Sequence, residues 1–234
     1  VTVFGICIFA AVIGLKVFKK NVDSESLISL TPKEKNPPIQ TSDLLPLTGG
    51  ESCDERDMIE KFFATEGDKL PIVETISYKS RVPWLKGRPA WIADYASHFS
   101  TSRHFIARSL NQDVDYYTQK VSSGDRFNIL NPNKNFNFYL LVDMNKLKMW
   151  FYYVDLDLAE KVLIKTYKVG LGTIEAGQST TPLGSFWLGD RVATYKPGMM
   201  GIFRNEKVEM INVYGTRWIP FNQSDEASGY GIHG

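Results

Sequence analysis

Cysteine is scarce in this sequence, and neither sign of charge predominates. The two thiols, Cys7 and Cys53, fall in an apolar run and in a polar segment. That placement predicts no intrachain disulfide, and no Cys/His spacing suits a tetrahedral zinc site. Lysine and arginine number 27 against 26 acidic residues, a net charge of +1. No basic field draws a nucleic acid, so none is expected as a partner. No internal repeat stands out, and no cofactor is expected. What is present is ample material for a core. The hydrophobic share is 43%, with 14 Phe, 11 Tyr and 5 Trp among 234 residues, which suits one large globular domain or two small ones.

Residues 2–15 carry no charge, and Lys16, Lys19 and Lys20 come next. The run lies between the length of a signal peptide's apolar stretch and that of a spanning helix. No small-residue cleavage site follows it. A signal or membrane helix over residues 1–20 is therefore expected, either retained as an anchor or cleaved. The basic cluster after the run, however, is the wrong way round for export under the positive-inside rule. Residues 21–51 are rich in Ser, Thr, Pro, Gly and Lys, with Pro37-Pro38 and Gly49-Gly50 as breakers, and read as a flexible linker.

Over residues 52–74 an amphipathic helix and its connection are expected. Ser52-Cys53-Asp54-Glu55 has capping-box form, Met58, Ile59, Phe62 and Phe63 recur at helical spacing, and Gly67 supplies a stop. Residues 75–133 read as a small β-α-α-β unit. Ile76, Tyr78 and Val82 begin extended, and Pro89 opens a helix carrying Ile92, Tyr95 and Ala96. Ser100 or Thr101 caps a second helix with Phe105, Ile106 and Leu110, and Gly124-Asp125 turns into the strand Phe127–Leu130. From Trp91 to Leu130 the segment resembles the LysM carbohydrate-binding module. A small α+β spacer without glycan affinity is the other reading. His98 and His104 lie here and are expected to be structural.

From Asn135 the period changes to two. Phe136, Phe138, Leu140 and Val142 alternate with their neighbours, then Leu147, Met149, Phe151 and Tyr153, then the strand Lys161–Val169. Three closely spaced strands predict a meander. Ser185–Val192 and Val208–Tyr214 are expected to add strands, so that 134–234 is mainly β, a sandwich. The fold class expected is α+β overall.

Five segments of this β half carry a family resemblance. They are Phe138–Asp143, Lys168-Val169-Gly170-Leu171-Gly172, Thr181-Pro182-Leu183-Gly184-Ser185-Phe186, Arg217-Trp218-Ile219 and Gly231-Ile232-His233-Gly234. In this order and spacing they resemble the YkuD, or L,D-transpeptidase, catalytic domain. The resemblance implies an enzyme of bacterial cell-wall biogenesis that acts outside the cytoplasm, anchored in the membrane or exported. Its partners would be peptidoglycan stem peptides and glycan strands, together with the membrane through the N-terminal segment. A thiolate attacks the carbonyl at the third residue of a stem tetrapeptide and expels the terminal D-alanine. The thioester formed is then resolved by an amine of a neighbouring stem, or by water. His233 would be the general base, and Gly231, Gly234 and Trp218 would contact substrate. The family's nucleophile sits in a Ser-x-Gly-Cys-x-Arg motif that comes after the His-Gly pair. These residues do not contain it, and neither Cys7 nor Cys53 sits in such a motif. The chain is accordingly expected to be an incomplete, inactive form. A reading from another class is a non-catalytic exported peptidoglycan-binding module, and a third is a structural envelope protein with an unrelated β half.

Overall fold

The computed structural model describes residues 56–111, 120–172, 180–189, 191–222 and 229–234, with the backbone of 8–13. The expected linker, the capping box at Ser52–Glu55 and both cysteines lie outside these residues. The structure is mixed, mainly strand with few helices. It divides into two compact units, Val1–Gly14 with Phe138–Tyr152 and Tyr167–Gly234, and Leu15–Asn137 with Tyr153–Thr166.

The N-terminal helix expected over residues 1–20 is corrected where it can be followed. Ile8–Ile13 is a strand, β1. An apolar run with no polar face suits a strand hydrogen-bonded on both edges as well as a helix, and periodicity alone does not separate the two. No helix among the described residues is long and apolar enough to cross a membrane.

In the unit containing residues 56–137, the helix expected after Ser52 shrinks to one 3-10 turn, Ile59–Phe62, without a side-chain cap. Gly67, at φ 77°, lies beyond it. Phe62 is buried and meets Phe105 edge-on at 6.0 Å. Strand β2 (Val73–Ser77) pairs antiparallel with β3 (Arg126–Leu130), and the helices Ile92–His98 and Arg103–Asn111 lie between them in sequence. Two helix starts differ from expectation. The first helix begins at Ile92, three residues after Pro89, because Asp94 accepts the Trp91 amide at 2.8 Å and pairs with Arg88 through bonds of 2.6 and 2.7 Å. The second is capped by Ser102, whose Oγ accepts the Phe105 amide at 2.9 Å, instead of by Ser100 or Thr101. The core gathers Tyr78, Ala90, Tyr95, Ala96, Ile106, Phe127 and Ile129. Beside it, the fully buried Asn128 donates to the carbonyls of Phe62 and Ala64 at 2.8 and 2.9 Å and accepts from the Thr75 hydroxyl at 2.6 Å.

The meander is β4 (Phe136–Asp143), β5 (Lys148–Asp155) and β6 (Glu160–Lys168). Its two turns use the same device. Asp143 Oδ1 accepts the amides of Asn145 and Lys146, and Asp155 Oδ1 those of Asp157 and Leu158. Four residues after each aspartate, Leu147 and Ala159 take left-handed backbone at φ 50° and 53°. An aspartate that mimics a backbone turn closes a hairpin without glycine. With β1 and β7 (Ser185–Trp187) the meander makes one five-stranded sheet in the order β6-β5-β4-β1-β7, β1 antiparallel to β4 and parallel to β7.

The rest of the other unit is built of short pieces. They are β8 (Ala193–Thr194), the hairpin β9 (Met200–Phe203) and β10 (Glu206–Glu209), the helix Met210–Tyr214, and β11 (Arg217–Pro220) with β12 (Gly231–His233). Strands β12-β11-β8 form a three-stranded sheet. The strand expected over 208–214 is therefore corrected for its last five residues. Val208 and Glu209 are strand, but Met210–Tyr214 is helical and ends at Gly215, whose φ is 67°. A five-residue apolar stretch has no decisive period, and its tertiary setting decides. The strand expected over 185–192 stops at Trp187, after which Leu188 makes a single bridge to Phe221.

Candidate functional site

The segments singled out in the β half converge. The amide of Gly172 donates to Thr181 Oγ1 at 2.9 Å and joins the Lys168–Gly172 segment to the Thr-Pro-x-Gly turn. Gly184 ends that turn at φ 144°, and a Cβ there would press on the Phe186 ring at 3.2 Å. Phe186 is buried and stacks on Phe221, centroids 5.1 Å apart. The amides of Gly189 and Asn222 donate to Pro220 O and Trp187 O at 2.7 and 2.6 Å, which ties the end of β7 to β11.

Strand β11 pairs antiparallel with β12, setting Trp218 opposite His233 and Pro220 opposite Gly231. Side chains alternate along a strand, so Trp218, Gly231 and His233 share a face. Their rings use it. The indole and imidazole centroids lie 5.6 Å apart at 30°. Tyr214, at the end of its short helix, meets His233 edge-on at 5.7 Å and Trp218 at 4.8 Å. Gly231 is required by this arrangement. A Cβ there would lie 2.5 Å from Ile219 O and 2.8 Å from the indole ring. Gly215 is required too, since a Cβ on it would run into the carbonyl of Gly234.

An open cleft of about 680 Å3 lies on this face, within the usual volume of a small-ligand site. Gly172, Thr181, Pro182, Trp218, Gly231 and His233 line it, so four of the five segments contribute. Of the expected site residues, His233, Trp218 and Gly231 meet there. Gly234 does not line the cleft. Its carbonyl accepts the Thr216 amide at 3.2 Å and its amide reaches Tyr214 O at 3.3 Å, so it secures the turn behind His233. The cleft also includes Phe203, Arg204, Asn212, Tyr214, Phe221 and Tyr230, which carried no motif. The signal for the first two was the Phe203-Arg204-Asn205 passage between alternating residues, a hairpin tip. Tyr214 was hidden because its segment reads as strand.

Chemically, the described lining offers an exposed imidazole, a guanidinium, an amide side chain and aromatic walls. It has no thiol and no carboxylate. An imidazole can both accept and donate a proton, which makes His233 the candidate acid–base group. His98 is elsewhere, stacked on Trp84 at 4.2 Å, and His104 lies exposed on the helix Arg103–Asn111. Among the described residues no three His, Cys, Asp or Glu side chains gather to hold a metal ion. No protein-family model matches the chain, nor does any curated protein or any solved structure, so its function is to be sought in the chemistry of this cleft.

Proposed function

We propose that the protein is a peptidoglycan L,D-transpeptidase of the YkuD type, an acyltransferase that cross-links stem peptides outside the bacterial cytoplasm. One observation carries the reading. Gly172, Thr181, Trp218 and His233 come from segments spread over more than sixty residues of chain, and all open onto one cleft. Turn signatures and core aromatics scattered by chance have no reason to share a surface. In this reading the β half is the catalytic sandwich, and the β-α-α-β unit is a LysM-like module, with Trp91 66% exposed as a platform for a sugar ring. His233 deprotonates a thiol, the thiolate attacks the stem carbonyl, and the protonated imidazole returns its proton to the leaving D-alanine amine. The thiol in this reading would be that of a Ser-x-Gly-Cys-x-Arg motif, which in that family comes after the His-Gly pair.

The test is to read the frame past Gly234 and express the protein with that continuation included. Release of D-alanine from a disaccharide tetrapeptide, with a thioester trapped on the motif cysteine, is the expected result. A stop codon at that point, with the protein still retained on purified peptidoglycan, would replace the enzyme by a non-catalytic binding module.

A further inference from the structure

We infer that Arg204 is a carboxylate-binding residue of the cleft, and that its ligand is a peptide with a free carboxylate. Arg204 and Asn205 are the two central residues of the β9–β10 hairpin, with φ of 51° and 67°. Phe203 is paired with Glu206 across them. Two left-handed residues make the tight turn whose twist matches the flanking strands, so the tip is fixed in register. Along β9 the alternation leaves Met200 and Ile202 exposed on one side and turns Phe203 to the other, where its ring meets Tyr214 edge-on at 6.0 Å. Tyr214 in turn contacts His233. The hairpin tip is thereby held beside the candidate base.

The guanidinium lies over the Phe203 ring, 5.2 Å from its centroid, and makes no ion pair or hydrogen bond among the described residues. Of the acids on its hairpin, Glu206 makes no ion pair with it, and Glu209 is engaged by the Gly198 amide and by Asn212. No described lining residue is acidic. A cation facing an aromatic-walled cleft without a carboxylate partner is suited to an anionic ligand. The planar fork of a guanidinium fits a carboxylate through two parallel hydrogen bonds. The backbone exposed at Gly172, with the Asn212 amide in the same lining, suits an extended peptide more than an inorganic ion. Assigning that carboxylate to a stem peptide rests on the function proposed above. The presence of the anion site does not.

The experiment titrates the chain by Trp fluorescence with a tetrapeptide ending in D-alanine, as free acid and as C-terminal amide. An unrelated N-acetyl tetrapeptide in the same two forms, and inorganic phosphate, complete the set. The wild type is expected to favour the D-alanine acid over its amide about tenfold at low salt. Arg204→Met should bring the two forms within a factor of about two. Arg204→Lys should keep part of the preference, and both variants should melt as the wild type does. A preference that survives Arg204→Met, or one absent from the wild type, overturns the inference, as does phosphate binding as tightly as the acid peptide. Equal Arg204-dependent binding of the unrelated acid keeps the carboxylate site and removes the stem-peptide reading. Selection of the D-alanine peptide with no difference between acid and amide does the reverse.

Discussion

His233 and Trp218 face each other from adjacent antiparallel strands with ring centroids 5.6 Å apart, and Tyr214 meets the imidazole edge-on at 5.7 Å. The histidine itself is exposed, so ring contacts, instead of enclosure, set its orientation. Cross-strand aromatic pairs of this kind contribute about 0.2–1 kcal/mol. The imidazole is thus held at little cost to its access to a ligand.

In a protein extended through the thiol motif, His233→Ala should lower turnover about 100-fold to 10,000-fold, as loss of a positioned general base does. Stability should fall by only about 1 kcal/mol, from the lost ring contacts. Rates normalised to folded protein separate the two effects. Near-normal turnover would remove His233 from the site, and His104→Ala, in the other unit, should leave catalysis unchanged.

The two glycines of Gly-Ile-His-Gly should behave differently. At Gly231 a Cβ would meet Ile219 O at 2.5 Å and the Trp218 ring at 2.8 and 2.9 Å, whereas at Gly234 nothing lies within 4 Å. Gly231→Ala should cost about 1–3 kcal/mol, as forced overpacking does, and shift the Trp emission. Gly234→Ala should stay within about 0.5 kcal/mol of wild type. Equal melting temperatures for the two variants would show that the indole does not lie across Gly231.

Asn128 should be the most sensitive polar residue of the other unit. Its side chain satisfies two carbonyls and one hydroxyl, and its amide donates to Ser109 Oγ at 2.8 Å. Asn128→Leu would strand buried acceptors, each worth about 1–3 kcal/mol. Denaturant unfolding should show a loss of about 3 kcal/mol or more; a loss under about 1 kcal/mol would mean that water reaches those carbonyls.

Acid should find the helix start at Ile92. Hydrogen bonds from Arg88 hold the Asp94 carboxyl below its usual range, against an opposing effect of burial and with further lowering by the Trp91 amide. A carboxyl depressed in the folded state stabilises fully above its unfolded pKa of about 3.9, and that contribution is lost as pH falls through the folded value. Asp94→Asn should therefore weaken the chain at neutral pH and flatten its stability profile below about pH 4. Parallel profiles for variant and wild type would remove Asp94 from the acid response.

Much of the fold was legible in the sequence because its determinants are local. The three strands from Phe136 to Lys168 were legible as strands, and Asp143 and Asp155 form their turns with amides two and three residues on. Their alternation was not, since Tyr139, Leu141, Trp150 and Tyr152, read as the opposite face, are buried too, and Leu147 is exposed. The two helices between β2 and β3 were as plain as the strands, although their starts were set by Asp94 and Ser102, one hydrogen bond each. Short apolar stretches were not legible. Ile8–Ile13 and Met210–Tyr214 each suit helix or strand. In the fold Ile8–Ile13 is a strand between β4 and β7, and Met210–Tyr214 is a helix that ends at Gly215, packed against Gly234.

The candidate site divides the same way. By itself the sequence determined the residue types: the imidazole of His233, the indole of Trp218 and the glycines on either side of Ile232-His233, since these are fixed by the order of the chain. Only the tertiary structure decided their company. Tyr214 and Arg204 reach the same cleft through a helix end and a hairpin tip, while Gly234 falls behind it. Proximity across strands depends on register, and register is a property of the paired sheet, absent from any single segment.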